Sequence, residues 1–211
     1  LVKSSHTIAK IAKKVDKNIK VVLGGNHITN SHLDYIHKVV HPGDKVPMIH
    51  DMEDENIDCA MTGESDFNFL KLVKALLNNQ DLKIVPGILI KESYGKYFYI
   101  ASGRISKIDI LPKPARHLVN MEGYFDIGAF HSAKSRSNRV LSVMCSRGCP
   151  EKCTFCTTPD TWGADVRWRK TNDIIDEIKE GITNYNIGEI QFEDDTLTAR
   201  KSNLIELCTE L

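Results

Sequence analysis

An α/β fold is predicted by three observations. Short β-branched runs alternate with stretches of helical apolar spacing, the rhythm that builds a parallel sheet. Two early runs end in Gly24-Gly25 and Gly63-Glu64, which would bring bare backbone to the carboxyl edge of an open sheet, where such folds take their ligands. Later, the apolar stretch 140–144 delivers the chain into Cys145-Ser-Arg-Gly-Cys149-Pro-Glu-Lys-Cys153-Thr-Phe-Cys156.

Taken in order, residues 5–15 place Ile8, Ile11, Ala12 and Val15 on one helical face, with Lys10, Lys13 and Lys14 elsewhere. A short strand over 19–23 ends at the glycine pair, a second helix is expected over 31–40, and a second strand over 57–62 ends at Gly63-Glu64. Phe67, Leu70, Val73, Leu76 and Leu77 mark a third helix, opened by Ser65 or Asp66 as cap. The pattern then changes: 85–91 and 96–101 read as two strands of a hairpin turning at Tyr94-Gly95. Pro112 and Pro114 break regular structure, because proline removes a donor and restricts the residue before it, so an interdomain connection is expected over 105–138. Beyond it, a strand over 140–144, the cysteine loop, a helix over 173–185, a strand over 188–192 and a helix from Ser202 open a second α/β domain. There is no internal repeat and no low-complexity segment.

The 211 residues suffice for one large domain or one and a half ordinary ones. With 28 basic and 28 acidic residues, no global field draws the chain to nucleic acid or to an anionic membrane. No apolar stretch approaches the ~20 residues that span a bilayer, so a reducing, cytoplasmic setting is the expectation. The sequence starts at Leu1 without methionine and stops at Leu211 inside helical spacing, as an internal fragment of a longer protein would.

Cys149, Cys153 and Cys156 stand in Cys-x3-Cys-x2-Cys spacing. Thiolate sulfur is the ligand of iron-sulfur clusters, and a four-iron cubane normally takes four of them, so a compact set of three leaves one iron open to a substrate. A structural zinc site is the competing reading. It would need a fourth ligand, Cys145 or His131, and a three-residue gap fits the usual paired spacing poorly. Nothing resembles a signal peptide, and six cysteines in 211 residues is not the density of a disulfide-stapled domain. Cys59 and Cys208, single among apolar neighbours, read as small buried hydrophobes.

The cysteine spacing, with Gly148, Pro150 and Phe155 around it, resembles the signature of the radical S-adenosylmethionine (SAM) superfamily. The wider order resembles the cobalamin-binding domain and linker that precede the barrel in class B radical SAM proteins: Val21-Val22-Leu23-Gly24-Gly25-Asn26-His27, then Asp58 to Ser65, then Pro86-Gly87 and Leu111-Pro112-Lys113-Pro114. The resemblance covers nearly the whole chain. It implies a partial Rossmann-like, doubly wound B12-binding domain over 1–104, a linker over 105–138 and the first βα units of a partial TIM-type barrel over 139–211.

By that resemblance Cys149, Cys153 and Cys156 hold a 4Fe-4S cluster whose fourth iron takes the amino and carboxylate groups of SAM. One electron, from a reductant such as flavodoxin or ferredoxin, would yield a 5'-deoxyadenosyl radical, and methylcobalamin would supply a methyl group to a small-molecule substrate. Phe155 would pack near the adenine or cover the cluster. Glu193 or Asp194, in the acidic run after a strand, would meet the SAM ammonium by a charge-assisted hydrogen bond. The family's glycine-glycine-glutamate form is absent there, and the alternative role for Asp194, Asp195 or Thr196 is a helix cap. Gly24, Gly25, Gly63 and Glu64 would line cobalamin.

The family's Asp-x-His-x-x-Gly cobalt-ligand motif belongs upstream of Leu1, and His27 is read as a polar or solvated group rather than a cobalt ligand. Arg147, Arg167 and Arg169 are expected mainly as solvated surface, with a substrate anion as the alternative. Trp162 and Trp168 belong either to the pocket or to the core. The competing functions are a radical SAM enzyme without corrinoid, such as a methylthiotransferase, whose amino-terminal domain differs, and a noncatalytic zinc module.

Overall fold

The computed structural model describes residues 2–128 and 135–211; His131, the spare ligand considered above, lies outside them. The chain divides into two compact units, Leu1–Arg104 and Ile105–Leu211.

The first unit is a four-stranded sheet in the order β1-β2-β3-β4, from β1 Val22–Leu23, β2 Cys59–Met61, β3 Ile88–Ser93 and β4 Lys96–Tyr99. Its helices are α1 Val2–Val15, α2 Asn26–Ile36 and α3 Asp66–Leu77. Alternation along the strands sends side chains to opposite faces, and both faces are covered. Ala60, Leu89 and Tyr97 pack with Ala9 and Ile28 on one side, while Cys59, Met61 and Ile88 pack with Leu72 and Ala75 of α3 on the other. Every residue of β2 is buried, as a central strand covered on both faces requires.

Several expectations need correction. In this sheet only β1 and β2 pair in parallel; β2–β3 is antiparallel, as is the expected hairpin β3–β4, so the sheet is mixed. Residues 62–87, with α3 among them, are long enough for a crossover; instead the chain passes through the 3-10 turn Leu82–Ile84 and Gly87, at φ +82°, and enters β3 running against β2. Helix α2 starts at Asn26 instead of 31, because Gly25, at φ +94°, turns the chain directly from strand into helix. In α1 the residues facing the core are not those expected: Ala9 is buried, whereas Ile8, Ile11 and Val15 are exposed. Polar contacts dock the opposite stripe, with Lys13 Nζ on Asp58 Oδ2 at 2.6 Å and on the Ile19 carbonyl at 2.7 Å. Helix α3 likewise buries Asn68, Leu72 and Ala75 and exposes Leu70 and Leu77. Ser65 stands at its N-cap without a capping bond, its hydroxyl donating instead to the Thr62 and Gly63 carbonyls.

The second unit carries α4 Met121–Ile127, β5 Val140–Val143, β6 Ser146–Arg147, α5 Thr158–Trp162, β7 Arg167–Trp168, α6 Thr171–Tyr185, β8 Glu189–Phe192 and α7 Lys201–Glu210. Strands β5 and β8 pair in parallel, Val140 opposite Glu189 through Val143 opposite Phe192. Helix α6 in the crossover lays Ile174, Ile175 and Ile178 on Leu141 and Val143, and Leu207 of α7 joins them. Gly181 lets α6 approach closely, since a Cβ there would lie 2.7 Å from Leu141 Cδ2. A short antiparallel ribbon, β6 with β7, interrupts the crossover, and the cysteine loop hangs from it. The sequence does not announce this ribbon, because two-residue strands carry no period. Cys208 is exposed, against the expectation of a buried hydrophobe, while Cys59 is buried.

Residues 105–128 are integral to this second unit. The Ile105 carbonyl accepts from Arg167 Nη1 at 2.6 Å, Asp109 Oδ1 accepts from the Lys170 amide at 2.7 Å, and Phe125 enters the core. Glu177 of α6 lies buried between two guanidinium groups, with Arg116 Nη2 and Arg169 Nη2 each 2.7 Å from one of its oxygens. Both arginines also donate to the end of β5, Arg116 to the Ser142 carbonyl and Arg169 to that of Met144. Arg167 and Arg169 are therefore braces, not solvated surface.

Removing the Glu177 carboxylate leaves two cations facing each other, so Glu177→Ala should destabilise the second unit by about 3–5 kcal/mol, the usual result of breaking a buried pair. Both tryptophans, Trp162 and Trp168, lie in this unit, so denaturant unfolding followed by tryptophan fluorescence reads it. A loss below about 1 kcal/mol would place the carboxylate with ordinary surface pairs instead.

Candidate functional site

In the first unit the glycine turns gather at one end of the sheet. The Thr29 hydroxyl, buried at the start of α2, donates to the Gly25 carbonyl at 3.1 Å and accepts from the Gly63 amide at 3.1 Å, tying the two loops together. Gly63 sits at φ +67°, where a Cβ would strike the Ser102 hydroxyl, and Glu64 beside it is buried. Gly24 and Gly25 are exposed, and a Cβ added at Gly25 would meet nothing within 4 Å. The edge is thus a bare backbone lip with open space in front of it. Neither Thr29 nor Ser102 was singled out from the sequence; a lone hydroxyl residue gives no signal until the loops it ties are known.

Beside that lip lies a cavity of about 500 Å³ lined by polar groups that include His6, His27, Asn30, His50 and Asp51. Asp51 is its centre: His6 Nε2 and His27 Nε2 each lie 2.9 Å from one of its oxygens. The polar role expected for His27 is the one it has. His6 Nδ1 lies 2.6 Å from Asp54 Oδ2, so both ring nitrogens face carboxylates. The hydrogen bond with Asp54, then that with Asp51, raises the His6 pKa above its ordinary value. Burial pushes the Asp54 carboxyl up, but the bonds from His6 and from Asn56 outweigh it and hold it below the usual carboxylate range.

In the second unit the cysteine loop leaves the carboxyl end of β5, the end at which parallel α/β barrels build their sites. Cys149 is buried, Cys156 half-buried and Cys153 exposed. Gly148, at φ +102°, packs so tightly that a Cβ would lie 2.4 Å from the Asp165 carbonyl oxygen. The Cys149 amide donates to the Gly163 carbonyl at 3.1 Å, and the Cys156 amide closes a turn onto the Cys153 carbonyl at 3.1 Å. Among the described residues no three His, Cys, Asp or Glu side chains are gathered closely enough to hold a metal ion. The three thiols share a loop but are not drawn into a ligating set. Phe155 is 89% exposed and does not join the core. Cys145, weighed as a spare zinc ligand, is wholly buried, and burial with the nearby Asp194 charge pushes its thiol up to about 12.

The acidic run after β8 meets this loop. Asp194 accepts from the Cys145 amide at 3.0 Å and from the amide and hydroxyl of Ser146, each at 2.5 Å. Burial raises its pKa despite those three bonds. Glu193 faces the Ser142 hydroxyl at 3.3 Å, Asp195 accepts from the Thr158 hydroxyl at 3.2 Å, and the Thr196 hydroxyl lies 3.0 Å from Cys149 Sγ. None of Asp194, Asp195 and Thr196 caps a helix: α7 begins after Arg200, and the 3-10 turn Leu197–Ala199 has no side-chain cap. Arg147 stacks on Trp162 at 4.9 Å, and Trp168 packs against the core.

The chain thus follows a doubly covered sheet with a glycine lip by a βα unit that carries a three-cysteine loop. No family model matches the chain. It is 30% identical, over 96% of its length, to cytidylyl-2-hydroxyethylphosphonate methyltransferase of Streptomyces wedmorensis, and equally so to an uncharacterized methyltransferase of Pyrococcus horikoshii. The chain spans 39% of the length of each. Its fold matches, with a TM-score of 0.68 over 99% of this chain and 36% of the other, the radical SAM methyltransferase TsrM of Kitasatospora setae, at 17% identity. TsrM has been solved with tryptophan and a SAM analogue, and also with cobalamin and a 4Fe-4S cluster. In sequence and in fold, the chain is thus similar to class B, cobalamin-dependent, radical SAM methyltransferases.

The His6 cluster generates a pH prediction. Because its folded pKa is raised, His6 contributes stability that is complete below about 6.5, the ordinary imidazole value, and that fades as pH rises through the higher folded value. The thermal midpoint of the intact protein should therefore fall over that window, and less so in His6→Gln. Equal slopes in the two proteins, or a His6 ring titrating at or below its ordinary value by NMR, would contradict the assignment.

Proposed function

We propose that the protein is a radical SAM enzyme of the methyl-transferring kind, with a 4Fe-4S cluster on Cys149, Cys153 and Cys156 and cobalamin at the glycine lip of the first unit. The observation that carries this reading is the three-thiol loop at the carboxyl end of β5, in a chain whose relatives are methyltransferases. The residues suit these groups. Three thiols at this spacing are the donor set of a cluster with an open iron, and the segment from 150 to 157 is surface loop, so Cys153 and Cys156 can move toward Cys149 without disturbing the core. The open space before Gly25, beside the buried Glu64, suits a bulky planar ligand that must approach backbone closely.

When bound, the cluster supplies one electron that splits SAM into methionine and a 5'-deoxyadenosyl radical, and the corrinoid supplies a methyl group for transfer. The chain's own residues bind and orient. Cys149, set by Gly148 and the Gly163 carbonyl, is the fixed ligand about which the other two close. Of the two carboxylates proposed for the SAM ammonium, Glu193 is the better placed, since both Asp194 oxygens already accept hydrogen bonds from the loop root. The exposed Phe155 ring is available to cover an adenine. Gly24, Gly25, Gly63 and Glu64 line the corrinoid.

Anaerobic reconstitution of the intact protein should give a brown protein containing four irons per chain, the count of the cubane. Cys149→Ala, Cys153→Ala and Cys156→Ala should each lose most of the iron, whereas Cys208→Ala, on the exposed face of α7, should keep it. With a strong reductant and SAM the loaded protein should release 5'-deoxyadenosine, and after desalting with added cobalamin it should retain corrinoid absorbance. A colourless protein holding zinc on the same cysteines would overturn the cluster, and loss of all corrinoid on desalting would overturn the cobalamin assignment.

A further inference from the structure

Three consecutive residues after β8 each grip a different part of the cysteine loop. Asp194 holds its root, through the Cys145 amide and the amide and hydroxyl of Ser146. Asp195 holds its far end, through the Thr158 hydroxyl. Thr196 reaches its first cysteine, with Oγ1 3.0 Å from Cys149 Sγ. The turn that presents them is itself pinned to the strand before the loop, since the Glu193 amide donates to the Val143 carbonyl at 2.9 Å.

Thr196 occupies the N-cap position of the 3-10 turn Leu197–Ala199, yet its hydroxyl makes no capping bond. A threonine there ordinarily spends its hydroxyl on a backbone amide. Here the hydroxyl is turned to a sulfur, and to the one sulfur of the three whose backbone is already fixed, by Gly148 at φ +102° and by the bond from the Cys149 amide to the Gly163 carbonyl. The contact therefore belongs to the preset part of the loop. Between a thiol and a hydroxyl either group can donate; a thiolate sulfur can only accept, so with Cys149 ligating a metal the hydroxyl must be the donor.

Resting on the cluster assignment above, we propose that Thr196 is a positioning residue for Cys149: its hydroxyl donates to the ligating sulfur, fixes that ligand and favours the reduced cluster. A hydrogen bond to a cluster sulfur withdraws electron density from it. Because the reduced cluster carries one more negative charge, the bond is stronger in that state, and the reduction potential rises. No atom is transferred; the effect is on the equilibrium for accepting one electron.

The test compares wild type, Thr196→Val, which keeps the shape and loses the hydroxyl, and Thr196→Ser, which keeps the hydroxyl. Each intact protein is loaded anaerobically, its iron and sulfide are measured, and its cluster is titrated with dithionite and mediator dyes under EPR. Thr196→Val should load like wild type but favour the oxidised cluster by three- to tenfold, the latter corresponding to about 59 mV for one electron, and Thr196→Ser should return to the wild-type potential. Loss of iron in Thr196→Val with full iron in Thr196→Ser would also support the proposal, since the hydroxyl that fixes the ligand is what the serine retains. Equal potentials and loading in all three overturn it while leaving the cluster assignment standing, as does a serine variant displaced as far as the valine one. A wild-type protein that takes up no iron overturns both.

Discussion

The second unit depends on how the carboxyl end of β5 is held. That strand stops at Val143, and the next residues must leave the sheet, enter a two-residue ribbon and then open into a loop whose thiols run from buried Cys149 to exposed Cys153. A chain making that exit has amides with no strand partner, and buried amides need acceptors. Asp194 supplies them at Cys145 and Ser146, and burial raises its pKa despite those bonds. From the other side Arg116 and Arg169, joined through Glu177, bind the carbonyls of Ser142 and Met144. Donors and acceptors of one short segment, 142–146, are thus bonded by side chains from three places in the sequence, Arg116, Arg169 and Asp194. The loop beyond it can remain open because its root is not.

This arrangement separates rigidity from access within a few residues. Cys149 inherits the fixed geometry of the root, through Gly148 and the carbonyl of Gly163, whereas Cys153 and Cys156 lie out on the loop. A ligand set that is one part preset and two parts adaptable can close around a preformed cluster without repacking a core. The first unit follows a similar division: Thr29 ties the Gly25 and Gly63 turns from the buried side, while the glycines keep the outer side free of side chains.

What the sequence made legible follows from which features have a period. The helices 66–77 and 171–185 and the strands 140–143 and 189–192 are long enough, or bounded clearly enough, to be read within a few residues. The hairpin at Tyr94-Gly95 was legible for the same reason. The buried faces of α1 and α3 were not: Ile8 and Leu70 follow the apolar spacing yet face outward, because Lys13 and Asn68, on other stripes, make the bonds that orient the helices. Nor does sequence spacing reveal that β3 returns antiparallel, since a strand-helix-strand connection of this length also serves a parallel pair. Of the candidate site, the three cysteines and the glycine edge were plain from motif and order. The residues that hold them, Asp194 as clamp, Glu177 as brace, Thr29 as tie and Thr196 at the sulfur, come together only when distant segments meet. The charge of Asp194 suggests either a ligand contact, shared with Glu193, or a helix cap; its three hydrogen bonds to the loop root are a structural commitment that no local pattern carries.

The central claim is that three sulfurs of one surface loop hold a cluster with an iron left open for SAM. It is tested most directly by the EPR spectrum of the reduced, iron-loaded intact protein recorded with and without SAM. Direct ligation of the open iron should change the signal on addition of SAM, and SAM carrying isotopic label in its amino or carboxylate group should show hyperfine coupling to the cluster. A spectrum unaltered by SAM at saturating concentration would contradict the account.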